Sequence, residues 1–458
     1  MTDICITREF DQKPTSDFYL RKNLSGKANE ARVSVDFGPM DGYTSSLEVD
    51  LGYIASGLFA CEGLLRGGRV KLDGSITVLV ENESLRSKNV KAQLEDLISF
   101  LLKVRPQVRM LDVKRKIPRP PEKHVERKYG CCSLFSGGID SLSGITHAHK
   151  KMGPSVGVFV SHDRTMPKRV DFVKANFLNA RKIPVCQVTI QRGQSGLQQF
   201  RGLVYLVFGA MTAHVHNTNK VVISETGQTM YLPQFSALDE VTLTTHPTLI
   251  KMVKDLLREA YGANFDFYEP FAELTKAEVI SLCELREAIP KTNSCISTAF
   301  ANHPVAQQCG FCYGCIVRRA SCVVAGAPDG QYAKDVLLSD IGDRATASWR
   351  GKTIQPSNLL ELQAVVRFAR DILEDKLDEV ARFKIESFSK QAVYRRFALD
   401  ILSSLYVLYD KTKDGRNSWA RSFYEECRKD RIITAEVAEN RIAEVRAQKF
   451  QPNFEFKI

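Results

Sequence analysis

The sequence predicts an α/β protein built on an open parallel sheet, with an α+β region before the sheet and a helical region after it. Three observations predict this. Between about residues 128 and 322, short apolar runs alternate with helical stretches. Before about residue 115, apolar and polar residues alternate at strand spacing, and beyond Asp329 apolar residues recur at helical spacing. At 458 residues the chain exceeds one ordinary core, so about two or three domains are expected, and they divide as 1–115, 128–322 and 323–458.

In the first region Val33, Val35 and Phe37 alternate with Arg32, Ser34 and Asp36, and Ile76, Val78 and Val80 repeat the period of two. From Asn89 to Val104 the pattern becomes a helix with Leu94, Leu97, Ile98 and Leu101 on one face. The basic, proline-rich stretch Lys114–Lys123 reads as a linker. In the second region Cys131–Phe135, Val156–Val160, Val185–Ile190, Val221–Ser224 and Phe265–Phe267 are strand candidates, with a helix over Phe200–Val215. Parallel strands covered on both faces place ligands beyond their carboxyl ends. In the third region Val366, Ala369, Leu373, Leu377 and Val380 mark one helical face and Gln391–Tyr409 another. These helices read as a structural or homodimerising unit, or, through Arg395, Arg396 and the basic Lys411–Arg416 stretch, as a docking surface for a protein partner.

Composition narrows the class. Hydrophobic residues at 44% and charged residues at 26% describe a globular chain. A net charge of +11 admits nucleic acid, but the basic residues are scattered among acids, which makes nucleic acid the weaker expectation. The start Met1-Thr2-Asp3 lacks the pattern of a signal peptide, and no apolar run reaches about 18 residues, so a cytoplasmic protein with no membrane span is expected.

Two motifs carry chemistry. The Cys131–Phe135 strand runs into Ser136-Gly137-Gly138-Ile139-Asp140-Ser141, where paired glycines allow a tight turn and the helix that follows offers N–H groups to an anion. Ser136 and Ser141 add hydroxyl donors, and Asp140 suits a cap or a magnesium ion. The run is neither a Gly-Lys-Ser/Thr P-loop nor Gly-x-Gly-x-x-Gly. A capped turn without a ligand is the competing reading. Of twelve cysteines, Cys295, Cys309, Cys312 and Cys315 form a compact group with the spacing of a closed four-thiolate zinc site. An iron–sulfur centre or unliganded thiols are the alternatives.

The Ser-Gly-Gly-Ile-Asp-Ser string resembles the pyrophosphatase loop of the N-type ATP pyrophosphatases. That resemblance implies the adenine nucleotide α-hydrolase type of sheet, ATP and Mg2+ as cofactors, and adenylation with pyrophosphate release. Cys309-Gly310-x-Cys312-x-x-Cys315 after Ser294-Cys295, together with Thr275-Lys276-Ala277-Glu278, is similar to the QueC family over about residues 128–322. Members of that family turn 7-carboxy-7-deazaguanine, ATP and ammonia into a nitrile, which implies a deazaguanine-like substrate and a structural Zn2+. The longer layout resembles QueC-like proteins of bacterial anti-phage operons, including the QatC group and those accompanying CBASS, which implies an amine on a protein partner as acceptor. Glu225-Thr226-Gly227-Gln228 and Tyr231-Leu232-Pro233-Gln234 depart from the family's substrate stretch.

Further residues fit a site around this frame, each with a structural alternative. Arg201 could neutralise the α-phosphate or be a surface arginine, and Glu225 could bind magnesium or a base edge, or cap a helix. His162 and Asp163 could line an adenosine pocket. His246 could take a proton from an amine, or be packed beside a Thr245 cap. Lys276, with Arg318 and Arg319 from the far wall, could stabilise phosphate charge. Base modification in nucleic acid by the same adenylation, and a non-catalytic nucleotide-binding scaffold, are the competing functions.

Overall fold

The computed structural model of the chain describes residues 3–7, 17–24, 27–40, 43–66, 75–112, 129–161, 166–192, 198–230, 243–295, 308–341, 348–349, 352–353, 359–377, 388–411 and 417–454. The Lys114–Lys123 linker, His162, Asp163, the Tyr231–Gln234 stretch, Val380 and residues 412–416 lie outside the described residues.

The strand expectations meet in one mixed, mostly parallel sheet. β6 (Cys131–Leu134) pairs in parallel with β7 (Ser155–Ser161) on one side and with β9 (Lys220–Val222) on the other. β8 (Val185–Arg192) extends the first side and β10 (Asp266–Tyr268) the second, both in parallel. All four residues of β6 and all seven of β7 are buried, as strands covered on two faces must be.

The N-terminal strands continue this sheet. β3 (Lys27–Asp36) pairs antiparallel with β8 in the register Val33↔Arg192 to Asp36↔Thr189. Beyond it lie β2 (Asp17–Leu24), β1 (Asp3–Thr7), β4 (Ser75–Val80) and β5 (Gln107–Asp112), which complete ten strands. The alternation read from sequence is visible at Val35 and Phe37, both buried around an exposed Asp36.

Helices cover both faces. α1 (Ser46–Arg66), α2 (Lys88–Leu102), α5 (Arg201–Val215) and α7 (Pro247–Tyr261) lie over one core, where Leu203, Val207 and Phe208 meet Val158 and Val188. Ser87 starts α2 by accepting the Val90 N–H at 3.2 Å, and Lys103 in the left-handed region ends it. α3 (Ile139–Met152) and α8 (Lys276–Leu282) cover the other face, with Ile139, Leu142 and Ile145 against Phe159, Val185 and Ile280.

The C-terminal region is helical, as expected: α10 (Leu359–Leu373), α11 (Phe388–Lys411), α12 (Trp419–Lys429) and α13 (Ala435–Arg446). Its core reaches back into α9 (Tyr313–Ala325), whose Ile316, Val317, Ala320 and Val323 pack with Leu362, Val366, Phe397 and Ile401. Position 322 therefore lies inside a helix that both regions share. Among the described residues no helix is long and apolar enough to cross a membrane.

Candidate functional site

The strand order reverses at β6, because the chain proceeds to β7 and β8 on one side and to β9 and β10 on the other. A crevice opens at such a reversal, beyond the carboxyl ends of the strands. Ser136–Gly138 follows β6 there, and Ile223–Thr226 follows β9.

The glycine loop makes a tight turn at the start of α3. Gly137 sits at φ +78°, its carbonyl accepts the Asn293 N–H at 3.1 Å, and an added Cβ would lie 2.7 Å from Val170 Cγ2. Gly138 caps α3 without a side-chain hydrogen bond, and the first amides of a helix capped in this way can be offered to an anion. Ser136 Oγ donates to Ser141 Oγ at 3.2 Å, and Ser141 Oγ to the Gly138 carbonyl at 3.0 Å, so both hydroxyls line the turn. Gly137→Ala is expected to cost about 1–2 kcal/mol through its left-handed backbone, with Val170 displaced. A lowered urea midpoint with an unchanged m-value would show it.

Asp140, on the first turn of α3, pairs with Lys276, the first residue of α8. Both side chains are about nine-tenths buried, at 12% and 10% exposure. Asp140 Oδ2 takes the Lys276 ammonium, while Oδ1 is buried without a hydrogen-bond partner. Glu225 faces this pair from the loop after β9. Burial and the Asp140 charge push its carboxyl up, against the pull of Lys276, the Thr229 hydroxyl at 2.7 Å and Arg201. The approach is set by Gly144, one turn beyond Asp140, where any Cβ would collide with Ser224 Oγ. Arg201, at the start of α5, lies over the Tyr205 ring and donates from Nη1 to Gln198 Oε1 at 3.0 Å. Its helix is held by Glu62 of α1, which accepts the Phe200 N–H at 3.3 Å. Asp140, Lys276, Glu225 and Arg201 thus lie close enough together for their charges to act on one another.

Tyr313 was not foreseen. It is the first residue of α9, directly after Cys312, and burial with the Glu225 and Asp140 charges pushes its phenol up. Its backbone N–H donates to Glu361 of α10. The available signal was its place in the Cys-x-x-Cys spacer, since a helix starting at the metal loop aims its first residue at whatever that loop covers.

Cys295, Cys309, Cys312 and Cys315 form a set that can hold a metal ion such as zinc, their sulfurs all within 4.8 Å of one another. Cys309 and Cys315 sulfurs are 3.8 Å apart, the edge of a tetrahedron with zinc–sulfur bonds of about 2.3 Å. The Cys309 N–H donates to Cys295 Sγ and the Cys312 N–H to Cys309 Sγ, each at 3.4 Å, as backbone amides do around thiolates. Gly310 turns the loop at φ +87°, close under the Lys334 carbonyl.

Other sequence candidates have different places. His246 itself caps α7, its Nδ1 accepting the Thr248 N–H at 3.2 Å while its ring packs on Phe100, so the cap is not Thr245. Arg318 does not face phosphate charge. It is fully buried and donates to Asp329 at 2.7 Å and to the Thr292 and Ile289 carbonyls at 3.0 and 2.6 Å. Arg319 pairs with Asp335 at 2.9 Å. Arg396 pairs with the buried Glu278 at 2.8 Å, whereas Arg395 pairs with Asp375 at the surface.

Fold and site together define a mixed α/β protein with a tight glycine loop at a strand reversal and, beside it, a four-cysteine set that can hold a metal ion. Comparison with protein-family models gives no match, and comparison with curated proteins gives none either.

Proposed function

We propose that the chain is an ATP-dependent ligase or synthase that adenylates a carboxylate, releases pyrophosphate and passes the acyl group to an amine. The observation that carries this reading is the Asp140–Lys276 pair set against Glu225 at the mouth of the Ser136–Ser141 loop. The loop amides and serine hydroxyls suit the β and γ phosphates of ATP. A substrate carboxylate oxygen attacks the α-phosphorus, the bond to the bridging oxygen breaks, and that electron pair leaves on pyrophosphate. Lys276 and Arg201 are placed to meet the charge that develops there. The buried, unpartnered Oδ1 of Asp140 and the Glu225 carboxylate fit Mg2+, a hard cation that takes oxygen ligands and would neutralise phosphate charge when bound. The cysteine set fits Zn2+ in a structural role, with no position open to water.

The acyl substrate we favour is a 7-deazaguanine carboxylate, with an amide or nitrile as product and a role in bacterial anti-phage defence, on the motif resemblance. The purified protein is to be incubated with ATP, magnesium, 7-carboxy-7-deazaguanine, and either ammonia or a candidate protein partner, and the products weighed by mass spectrometry. AMP and pyrophosphate that depend on the carboxylate are the expected outcome; ADP and phosphate would overturn the reading. A nitrile marks ammonia as acceptor, and a mass gain on the partner marks conjugation.

A further inference from the structure

The C-terminal helices hold the N-terminal end of α8, and through it Lys276. α8 has seven residues, too short to be helical on its own, so tertiary contacts fix where it starts. Thr275 caps it and Glu278 closes a capping box, its carboxylate accepting the Thr275 N–H at 2.9 Å. In a surface helix the motif would end there. Here Thr275 Oγ1 also donates to Asp400 of α11 at 2.6 Å. Arg441 of α13 bridges the two acids, with Nε to Asp400 at 2.8 Å and Nη2 to Glu278 at 2.6 Å. Arg396 of α11 completes the set on Glu278 and on the Glu273 carbonyl at 2.6 Å.

Glu278 and Asp400 meet the guanidiniums of Arg396 and Arg441, Arg441 also pairs through Nη1 with the half-exposed Glu444 at 2.7 Å, and Glu278 and Asp400 are shielded from water almost completely. Such a network gains little stability over an apolar core, because desolvation offsets the attraction. What it supplies is direction: bonds to Thr275 and Glu278 from two C-terminal helices restrict how the α8 entrance can turn. The same helices touch the other walls of the crevice, where Glu361 accepts the Tyr313 N–H and Tyr394 reaches the Gln228 carbonyl at 3.5 Å.

We propose that Thr275, Asp400 and Arg441 are positioning residues that hold Lys276 for phosphate chemistry, which makes the C-terminal helices part of the catalytic apparatus. This rests on the adenylation reading for its rate consequences, but not for its geometry.

The test uses the full chain and four variants. Thr275→Val removes the hydroxyl and Asp400→Asn the acceptor charge; Thr275→Ser keeps the hydroxyl; Leu405→Ala weakens the C-terminal core on α11 without removing a group of the network. Lysine labelling mapped by mass spectrometry reads Lys276 directly. Its labelling rate is expected to rise about tenfold or more in Thr275→Val and Asp400→Asn and to stay near wild type in the other two. In AMP-release kinetics, a mispositioned cation costs about 10–100-fold in kcat, with KM for ATP nearly unchanged and Thr275→Ser restoring the rate. The proposal is overturned if Lys276 labelling is unchanged in the network variants, or if Leu405→Ala alters labelling and kcat as much. If the wild type releases no AMP, the adenylation reading fails, and labelling still decides whether the network holds Lys276.

Discussion

Replacing Lys276 by methionine is expected to remove about 10²–10³-fold of AMP formation, the usual effect of deleting one donor that meets developing charge, and also to destabilise the fold. The second effect follows from what remains. Asp140 loses the ammonium on Oδ2, and Glu225 loses one of the cations that hold its carboxyl down against burial and the Asp140 charge. Removing one member of a buried pair costs about 3–5 kcal/mol, and the slight exposure of both side chains places this pair at the lower end. The pH dependence has a definite sign. In the variant Glu225 rises further above its unfolded value, so the native state binds more protons than the unfolded state across the carboxylate range. The destabilisation is then small in acid and grows as pH rises through the raised carboxyl pKa. Urea midpoints across pH, measured beside wild type, check this. Asp140→Asn added to Lys276→Met should recover stability without recovering AMP formation. Recovery of both would place Lys276 outside the chemistry.

How much of this was legible in the sequence depended on the range of the interaction. Period-two and helical spacings are local, so β6, β7, β8, α2 and α5 fell within a few residues of where the alternation placed them. The glycine loop and four cysteines were legible for the same reason, each a chemistry written in one short segment or a fixed spacing. The pairing of β3 with β8 was not, because a strand's period does not name its neighbour across more than a hundred residues. Charged side chains misled for a related reason. Arg318 looked available for phosphate, yet it meets Asp329 eleven residues on and the Ile289 carbonyl, and Arg396 meets Glu278 of α8, more than a hundred residues away. Arg318 did carry a sign of burial, since it interrupts the apolar run Ile316, Val317 and Ala320. Thr275 and Glu278 likewise had capping-box spacing, which accounts for the box but not for Asp400 and Arg441 behind it.

The second large effect is expected at the cysteine set. Cys309→Ser removes one of the four candidate ligands, whose sulfur sits 3.8 Å from Cys315 and accepts the Cys312 N–H. A four-thiolate site without its ion brings four sulfurs within 4.8 Å with nothing to balance their charge, so the ion and the local fold stand together. An ion held at about a thousand times its dissociation constant contributes about 4 kcal/mol, and the variant should lose that much. The loss begins at a defined place. Cys312 is the residue from which α9 starts, Tyr313 follows it into the crevice, and α9 carries the shared core of the C-terminal helices. Damage at the metal loop is therefore expected to reach both the crevice and that core, whereas the β6–β7–β8 sheet has its own burial and should persist. Metal analysis should find close to one zinc per wild-type chain and far less in Cys309→Ser. Hydrogen exchange should show protection lost in α9 through α11 and retained in β6–β8. Visible absorption in the wild type would replace zinc with an iron–sulfur centre, and a metal-free wild type indifferent to chelators would remove the metal from the account.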